Sequence, residues 1–280
     1  MKLNGHREAR TKWLGLLLIL TCSLTAVAQT PAPAPQPKSA SEYLEGAVLW
    51  TQSSGEVKAL CYQAFTLARM MLERDLRQNR RRGLRRAVVV DADETVLDNS
   101  RYQATLVKNG QVYSAQSWTE WVNRAEAVAI PGAVEFLRYA ASRGVRVFYI
   151  TNRRLAEKEA TAANLKRLGF PGVSDETLLV RTDPNSSSKE PRRRTVSARY
   201  RIVLLMGDNL NDFAEVFEDS KTVNGRIEAV ERNKSQFGTR FIVLPNPMYG
   251  DWENAIYDYN FKLTEEEKAG KRKSQLKTYK

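Results

Sequence analysis

Three short apolar runs, each closed by a polar cluster, constrain this chain more than any other feature. Arg86–Val90 leads into Asp91-Ala92-Asp93-Glu94-Thr95. Arg146–Ile150 leads into Thr151-Asn152-Arg153-Arg154, and Ile202–Met206 into Gly207-Asp208-Asn209-Leu210-Asn211-Asp212. Apolar runs this short, without alternation, suit strands buried on both faces. Helical patterns separate them. Val134–Ser142 is entered through Pro131-Gly132, Leu155–Leu168 is stopped by Gly169 and Pro171, and Arg192–Arg199 follows. Two weaker strands, Thr177–Val180 and Arg240–Leu244, and a charged C-terminal helix over Thr264–Leu276 complete the alternation. Upstream, residues 40–82 read as two helices, with an apolar stripe at Ala59, Tyr62, Ala64, Phe65, Ala68, Met71 and Leu72. The pattern predicts an α/β fold: a three-layer, Rossmann-like, mostly parallel sheet with N-terminal helices. Such sheets take ligands beyond the carboxyl ends of their strands, so three polar clusters at one rim make a site. The interval 96–130, with Trp118 and Trp121, is too long for a plain βα loop and reads as a small helical cap.

The N-terminus narrows the chemistry. Lys2, Arg7, Arg10 and Lys12 precede an apolar run from Trp13 to Leu20, and Ala26-Val27-Ala28 forms a cleavage signal. Residues 1–28 therefore read as a secretory signal peptide, too short for a permanent membrane span. Residues 29–39 follow as a Pro/Ala-rich linker, and 40–280 as one domain. The expected location is exported, periplasmic or secreted. A second reading is an outer-membrane lipoprotein anchored at Cys22, the only case in which the chain meets a membrane. Cleavage after Ala28 removes His6, the one histidine, and leaves Cys61 as the one cysteine. That excludes a Ser-His-Asp triad, phosphohistidine, His-ligated zinc and an internal disulfide. Cys61 also lacks the arginine six residues on that a cysteine phosphatase loop needs, because position 67 is Leu; it reads as a packing residue.

Catalysis must then come from carboxylates, lysine, hydroxyls and metal. Asp91 and Asp93 are two apart, so in an extended segment both face one side. Two adjacent carboxylates repel and call for a cation, and magnesium suits oxygen donors. The competing reading is an Asx-rich turn at a strand end. Asp208 and Asp212 lie on a second strand end, where helix capping is the competing reading. The convergence of two acidic clusters on two strand ends favours a shared site.

The segments VVDADETVLDNSRY (89–102) and IVLLMGDNLNDF (202–213) resemble the paired signatures of four-aspartate phosphohydrolases in the haloacid dehalogenase-like superfamily. From about 40 to 276 the chain is similar to the class C bacterial acid phosphatases, a group that includes 5′-nucleotidase lipoproteins. FYITNRR, SSKEPRR and LPNPMYGDWE also match. Ala92 departs from the usual Ile, Leu or Val, and Thr21 departs from the small residue expected before a lipidated cysteine.

The resemblance implies an Mg2+-dependent phosphatase with Asp91 as nucleophile and Asp93 as acid and base. Asp91, the Asp93 carbonyl and Asp208 would hold the metal, with Asp212 on a bound water or behind it. Thr151, Asn152 and Lys189 would bind the phosphoryl group. On sequence alone Arg192, Arg193 and Arg194 compete with Lys189 for that last role. Trp118 and Tyr249 flank polar loops and are candidates for a slot that takes a flat ligand, with core packing as the other reading. Expected partners are small phosphate monoesters or nucleotides, not nucleic acid; a homodimer is left open. The net charge of +12 and the arginines at 80–86 support one alternative, a basic exported protein that binds anionic ligands or nucleic acid without turnover.

Overall fold

The computed structural model describes residues 40–78 and 83–279. The expected signal peptide, Cys22, the linker, and Arg80, Arg81 and Arg82 lie outside the described residues. Among the described residues no helix is long and apolar enough to cross a membrane.

In chain order the elements are α1 (Glu45–Ser53), α2 (Gly55–Gln78), β1 (Arg85–Val90), β2 (Leu97–Asp98), α3 (Ser100–Asn109), α4 (Ala115–Arg124), β3 (Val128–Ala129), α5 (Ala133–Ser142) and β4 (Arg146–Arg154). They continue with α6 (Lys158–Arg167), β5 (Leu178–Arg181), α7 (Glu190–Ser197), β6 (Tyr200–Gly207), α8 (Glu215–Glu218), α9 (Val223–Arg232), β7 (Phe241–Val243), α10 (Asp251–Ile256) and α11 (Glu265–Ser274). Five strands form one sheet in the order β5-β4-β1-β6-β7, every pair parallel.

β1 is buried on both faces, which explains its unbroken Ala87-Val88-Val89-Val90 run. Val88 and Val90 join a core with Phe65, Leu72, Phe136, Leu137, Tyr149 and Leu204. Ala87 and Val89 join a second core on the opposite face with Phe148, Leu205, Phe213, Phe217 and Phe241. The expected three-layer α/β architecture is the one observed. At the amino end of the sheet, Asp75 at the end of α2 takes Arg86 of β1 at 2.6 Å and Arg201 of β6 at 2.7 Å.

Three details differ from the sequence expectation. On α2 the buried stripe is Val57, Cys61, Ala64, Phe65, Ala68 and Leu72; Ala59 and Tyr62 face solvent, because the stripe is phased on Val57. Cys61 packs in that stripe, and burial pushes its thiol up to about 11. β4 does not stop at Ile150. It continues through the polar Thr151-Asn152-Arg153-Arg154, because the pairing with β5 resumes at Arg154 opposite Arg181 after a register shift. The expected helix Leu155–Leu168 opens with a separate 3-10 turn, Leu155–Glu157, before α6.

The interval after β1 is two helices, α3 and α4, on a narrow neck. Its entry and exit pair antiparallel, Leu97 with Ala129 and Asp98 with Val128.

Candidate active site

The chain runs from β1 towards β4 and β5 on one side, then returns to β6 and β7 on the other. The order reverses between β1 and β6, so a crevice opens beyond their carboxyl ends. Asp91 follows β1 and Asp208 follows β6. The Asp91 amide donates to Met206 O at 2.9 Å, fixing one strand end to the other. A tight turn then lifts the chain off the sheet: Val96 and Leu97 amides both return to Ala92 O, and Glu94 sits at φ 54°, in the left-handed region.

Four residues meet in the crevice. Oxygens of Asp91, Asp208 and Asp212 lie within 4.8 Å of one another. Lys189 Nζ donates to Asp91 Oδ1, and to Asp212 Oδ1 at 2.6 Å. Burial opposes the lysine's charge, but the Asp212 and Asp91 carboxylates more than reverse this and hold it above the usual lysine range. Burial and the neighbouring Asp212 charge push Asp208 up to about 7, although Asn246 donates to its Oδ2 at 2.8 Å and Thr95 to its Oδ1 at 3.1 Å. Burial likewise raises Asp91, with Lys189 pulling the other way. One ammonium cannot balance three carboxylates, of which Asp91 and Asp212 are buried. The deficit, and an all-oxygen donor set, fit a divalent cation.

Asp212 reaches the cluster because its turn is tight. Its Oδ2 accepts from the Asn209 amide at 3.0 Å, and its carboxyl backs onto Gly207. A Cβ at Gly207 would stand 2.6 Å from Asp212 Cγ. Gly207→Ala is therefore expected to displace Asp212 and weaken divalent-cation binding by about tenfold or more. Calorimetric titration checks this, and unchanged affinity would mean that the turn yields elsewhere.

The carboxylates of Asp93 and Asp91 take different basic partners. Asp93 pairs with Arg153, Nη2 to Oδ1 at 2.7 Å, while Asp91 pairs with Lys189. Asp93 Oδ2 instead lies 3.4 Å from the Thr151 hydroxyl. Asn152 is exposed; its side-chain nitrogen donates to Ser187 O at 2.9 Å and its side-chain oxygen accepts from Arg192 at 2.6 Å.

The family described as HAD superfamily, subfamily IIIB (Acid phosphatase) matches residues 18–252, most of the chain and all of this crevice. The chain belongs to subfamily IIIB. The class C acid phosphatase from Bacillus anthracis is 45% identical, with a TM-score of 0.82 over 86% of this chain and 100% of that one. The same phosphatase with tungstate bound gives 45% identity and a TM-score of 0.81. The Stem 31 kDa glycoprotein of Glycine max is 27% identical over 161 residues, 56% of each chain. The Stem 28 kDa glycoprotein of the same plant is 26% identical over 166 residues. The chain spans little more than half the length of these curated relatives.

In this subfamily IIIB chain the three competing arginines have separate places. Arg192 is half-buried beside Thr151, bonded to Thr151 O and to Ser188 O at 2.9 Å; burial lowers it to about 10. Arg193 is buried on Glu218 at 2.8 Å and Glu190 at 2.9 Å. Arg194 is exposed and pairs with Glu190 and Glu215, each at 2.9 Å.

Trp118 and Tyr249 both have protein partners. Trp118 packs edge-on against Tyr102 at 5.2 Å, and the Arg153 guanidinium lies 5.6 Å from its ring. The Tyr249 hydroxyl donates to Glu94, whose carboxyl is raised by burial and by the Asp93 charge. Sequence reasoning missed Arg153 as a partner of Asp93. The available signal was parity: Thr151 and Arg153 are two apart on β4 and so face one side.

Proposed function

We propose that this chain hydrolyses phosphate monoesters, nucleoside 5′-monophosphates among them, with Mg2+ and through an aspartyl-phosphate on Asp91. The observation that carries the reading is the buried Asp91–Lys189–Asp212 bridge, with Asp208 beside it, at the point where the strand order reverses. Asp91 attacks phosphorus as the ester P–O bond breaks, and Asp93 gives its proton to the leaving oxygen. Water then attacks the same phosphorus, its proton passes to Asp93, and Asp91 is released. Lys189 and the Thr151 hydroxyl stand where the phosphoryl oxygens would carry charge. Asp91, the Asp93 carbonyl, Asp208 and Asp212 would hold Mg2+, which supplies charge neutralisation and keeps Asp91 ionised. Trp118 and Tyr249 would border the leaving group. Export follows from the N-terminal pattern, as the periplasmic or secreted form or as a lipoprotein at Cys22.

A panel of an aryl phosphate, an alkyl phosphate and a nucleoside monophosphate, with and without chelator, tests the reading. All are expected to turn over only with added Mg2+. Asp208→Asn should raise the Mg2+ requirement by about 10–100-fold, since even a residue behind a metal ligand commonly costs that much. Excess Mg2+ should restore part of the activity. Turnover that ignores chelation would remove the metal from the reaction. Anion binding without any turnover would favour the binding-protein reading.

A further inference from the structure

The two oxygens of Asp93 are held unequally. Oδ1 accepts from Arg153 Nη2 at 2.7 Å, from Arg153 Nε at 3.0 Å and from Asn99 Nδ2 at 2.9 Å. Oδ2 has only long contacts, 3.3 Å to Arg153 Nε and 3.4 Å to the Thr151 hydroxyl. Three donors fill the lone pairs of Oδ1, while Oδ2 stays available on the Thr151 side.

The residues that hold Oδ1 are themselves fixed. The Arg153 side chain is 1% exposed against 18% for Asp93. Its Nη1 donates to Thr161 Oγ1 at 3.1 Å, and the Trp118 ring lies beside it. Asn99 is fully buried. Its Oδ1 accepts from Trp121 Nε1 at 2.9 Å and from Arg153 Nη2 at 3.3 Å. Indole and guanidinium can only donate, so the amide oxygen of Asn99 must face them and its nitrogen must face Asp93. Trp121 lies on α4, so α4 helps to orient Asn99, together with Glu94, whose Oε2 accepts from Asn99 Nδ2 at 3.3 Å, and Asn99 in turn holds Asp93.

The geometry points to Arg153 as a positioning residue, backed by Asn99 and Trp121, that fixes Asp93 through Oδ1 and leaves Oδ2 to exchange the proton. This rests on the reading of Asp93 as acid and base. In the first half-reaction the Asp93 Oδ2 proton passes to the leaving oxygen as the P–O bond breaks, and the carboxylate left behind already faces Arg153. A rotation of the Asp93 carboxyl would lose both the donors and the alignment on which proton transfer depends.

The test is kcat/KM across phosphate monoesters graded by leaving group, from 2,4-dinitrophenyl through phenyl to alkyl. This quantity reports the steps through ester cleavage and omits later water attack. Dinitrophenolate leaves without a proton; an alkoxide does not. Arg153→Lys keeps the charge but not the planar fork, and Trp121→Phe keeps the ring but not the donor. Arg153→Lys is expected to lose about 100-fold on the alkyl ester, the lower range of general acid catalysis, and less than about fivefold on the dinitrophenyl ester. Trp121→Phe should show the same ordering at smaller size, and it decides the matter alone if Arg153→Lys does not fold. Asp93→Asn on the same series separates the two readings. A steep dependence in Asp93→Asn with uniform losses in the other two overturns the positioning role and spares the acid. Uniform losses in Asp93→Asn overturn the acid reading, and the positioning role with it.

Discussion

Asp91→Asn is expected to lower kcat by about 10⁴-fold or more, the scale on which loss of a nucleophile acts. An amide is a poor nucleophile towards phosphorus, and the change also removes one negative charge from the cation cluster. The two effects separate by measurement. Calorimetric Mg2+ titration should show weakened binding, yet saturating Mg2+ should not restore turnover. After a rapid quench, the native chain should carry one extra phosphoryl mass and the variant none. Turnover near the native rate in Asp91→Asn would end the covalent mechanism.

Lys189→Met should be the most destabilising single change at the site. The lysine is 7% exposed and lies between Asp91 at 8% and Asp212 at 5%. Removing one partner of a buried ion pair commonly costs about 3–5 kcal/mol, because the other charge is left uncompensated. Here two charges are left. Urea melts in chelator should show a loss of that size, and Mg2+ should narrow the gap, since a dication can offset what the ammonium did. Activity should stay about 10²–10³-fold down even with Mg2+, because a fixed donor to the transferring group is gone. A variant as stable as the native chain in chelator would mean that the two aspartates share a proton instead.

The parts of the site that follow from strand ends could be read in the sequence. Asp91, Thr151 and Asp208 each follow an apolar run whose residues are buried on one or both faces. The fold class followed from the same runs. What depended on contacts between distant segments could not be read. Arg193 and Arg194 are neighbours in a basic stretch, yet only Arg193 is buried, paired with Glu218. Asn99 and Trp121 meet across the insertion through a single hydrogen bond. Helix α9 left a weak trace, with Thr222 capping it through the Gly225 amide and Val223, Ile227 and Val230 at helical spacing. The end of β4 was not legible because Thr151-Asn152-Arg153-Arg154 is polar; Thr151 and Arg153 face Asp93 and not a core.

The place of β1 in the sheet also bears on how the chain acquires its structure. β1 is the first strand of the sheet to leave the ribosome, and it becomes the centre. Its partners are residues 146–149 on one side and 200–206 on the other. Until the second of these is available, Ala87-Val88-Val89-Val90 is an apolar segment with an unpaired edge. Parallel pairing over such separations closes long loops before any contact rewards it, so folding is slow and the open strand is prone to self-association. The basic residues that precede it, Arg85 and Arg86, put positive charge beside the exposed run and oppose stacking of one nascent copy on another. A chain held unfolded until β6 has emerged would escape this hazard, so burst refolding at high protein concentration should give aggregates that slow dilution avoids.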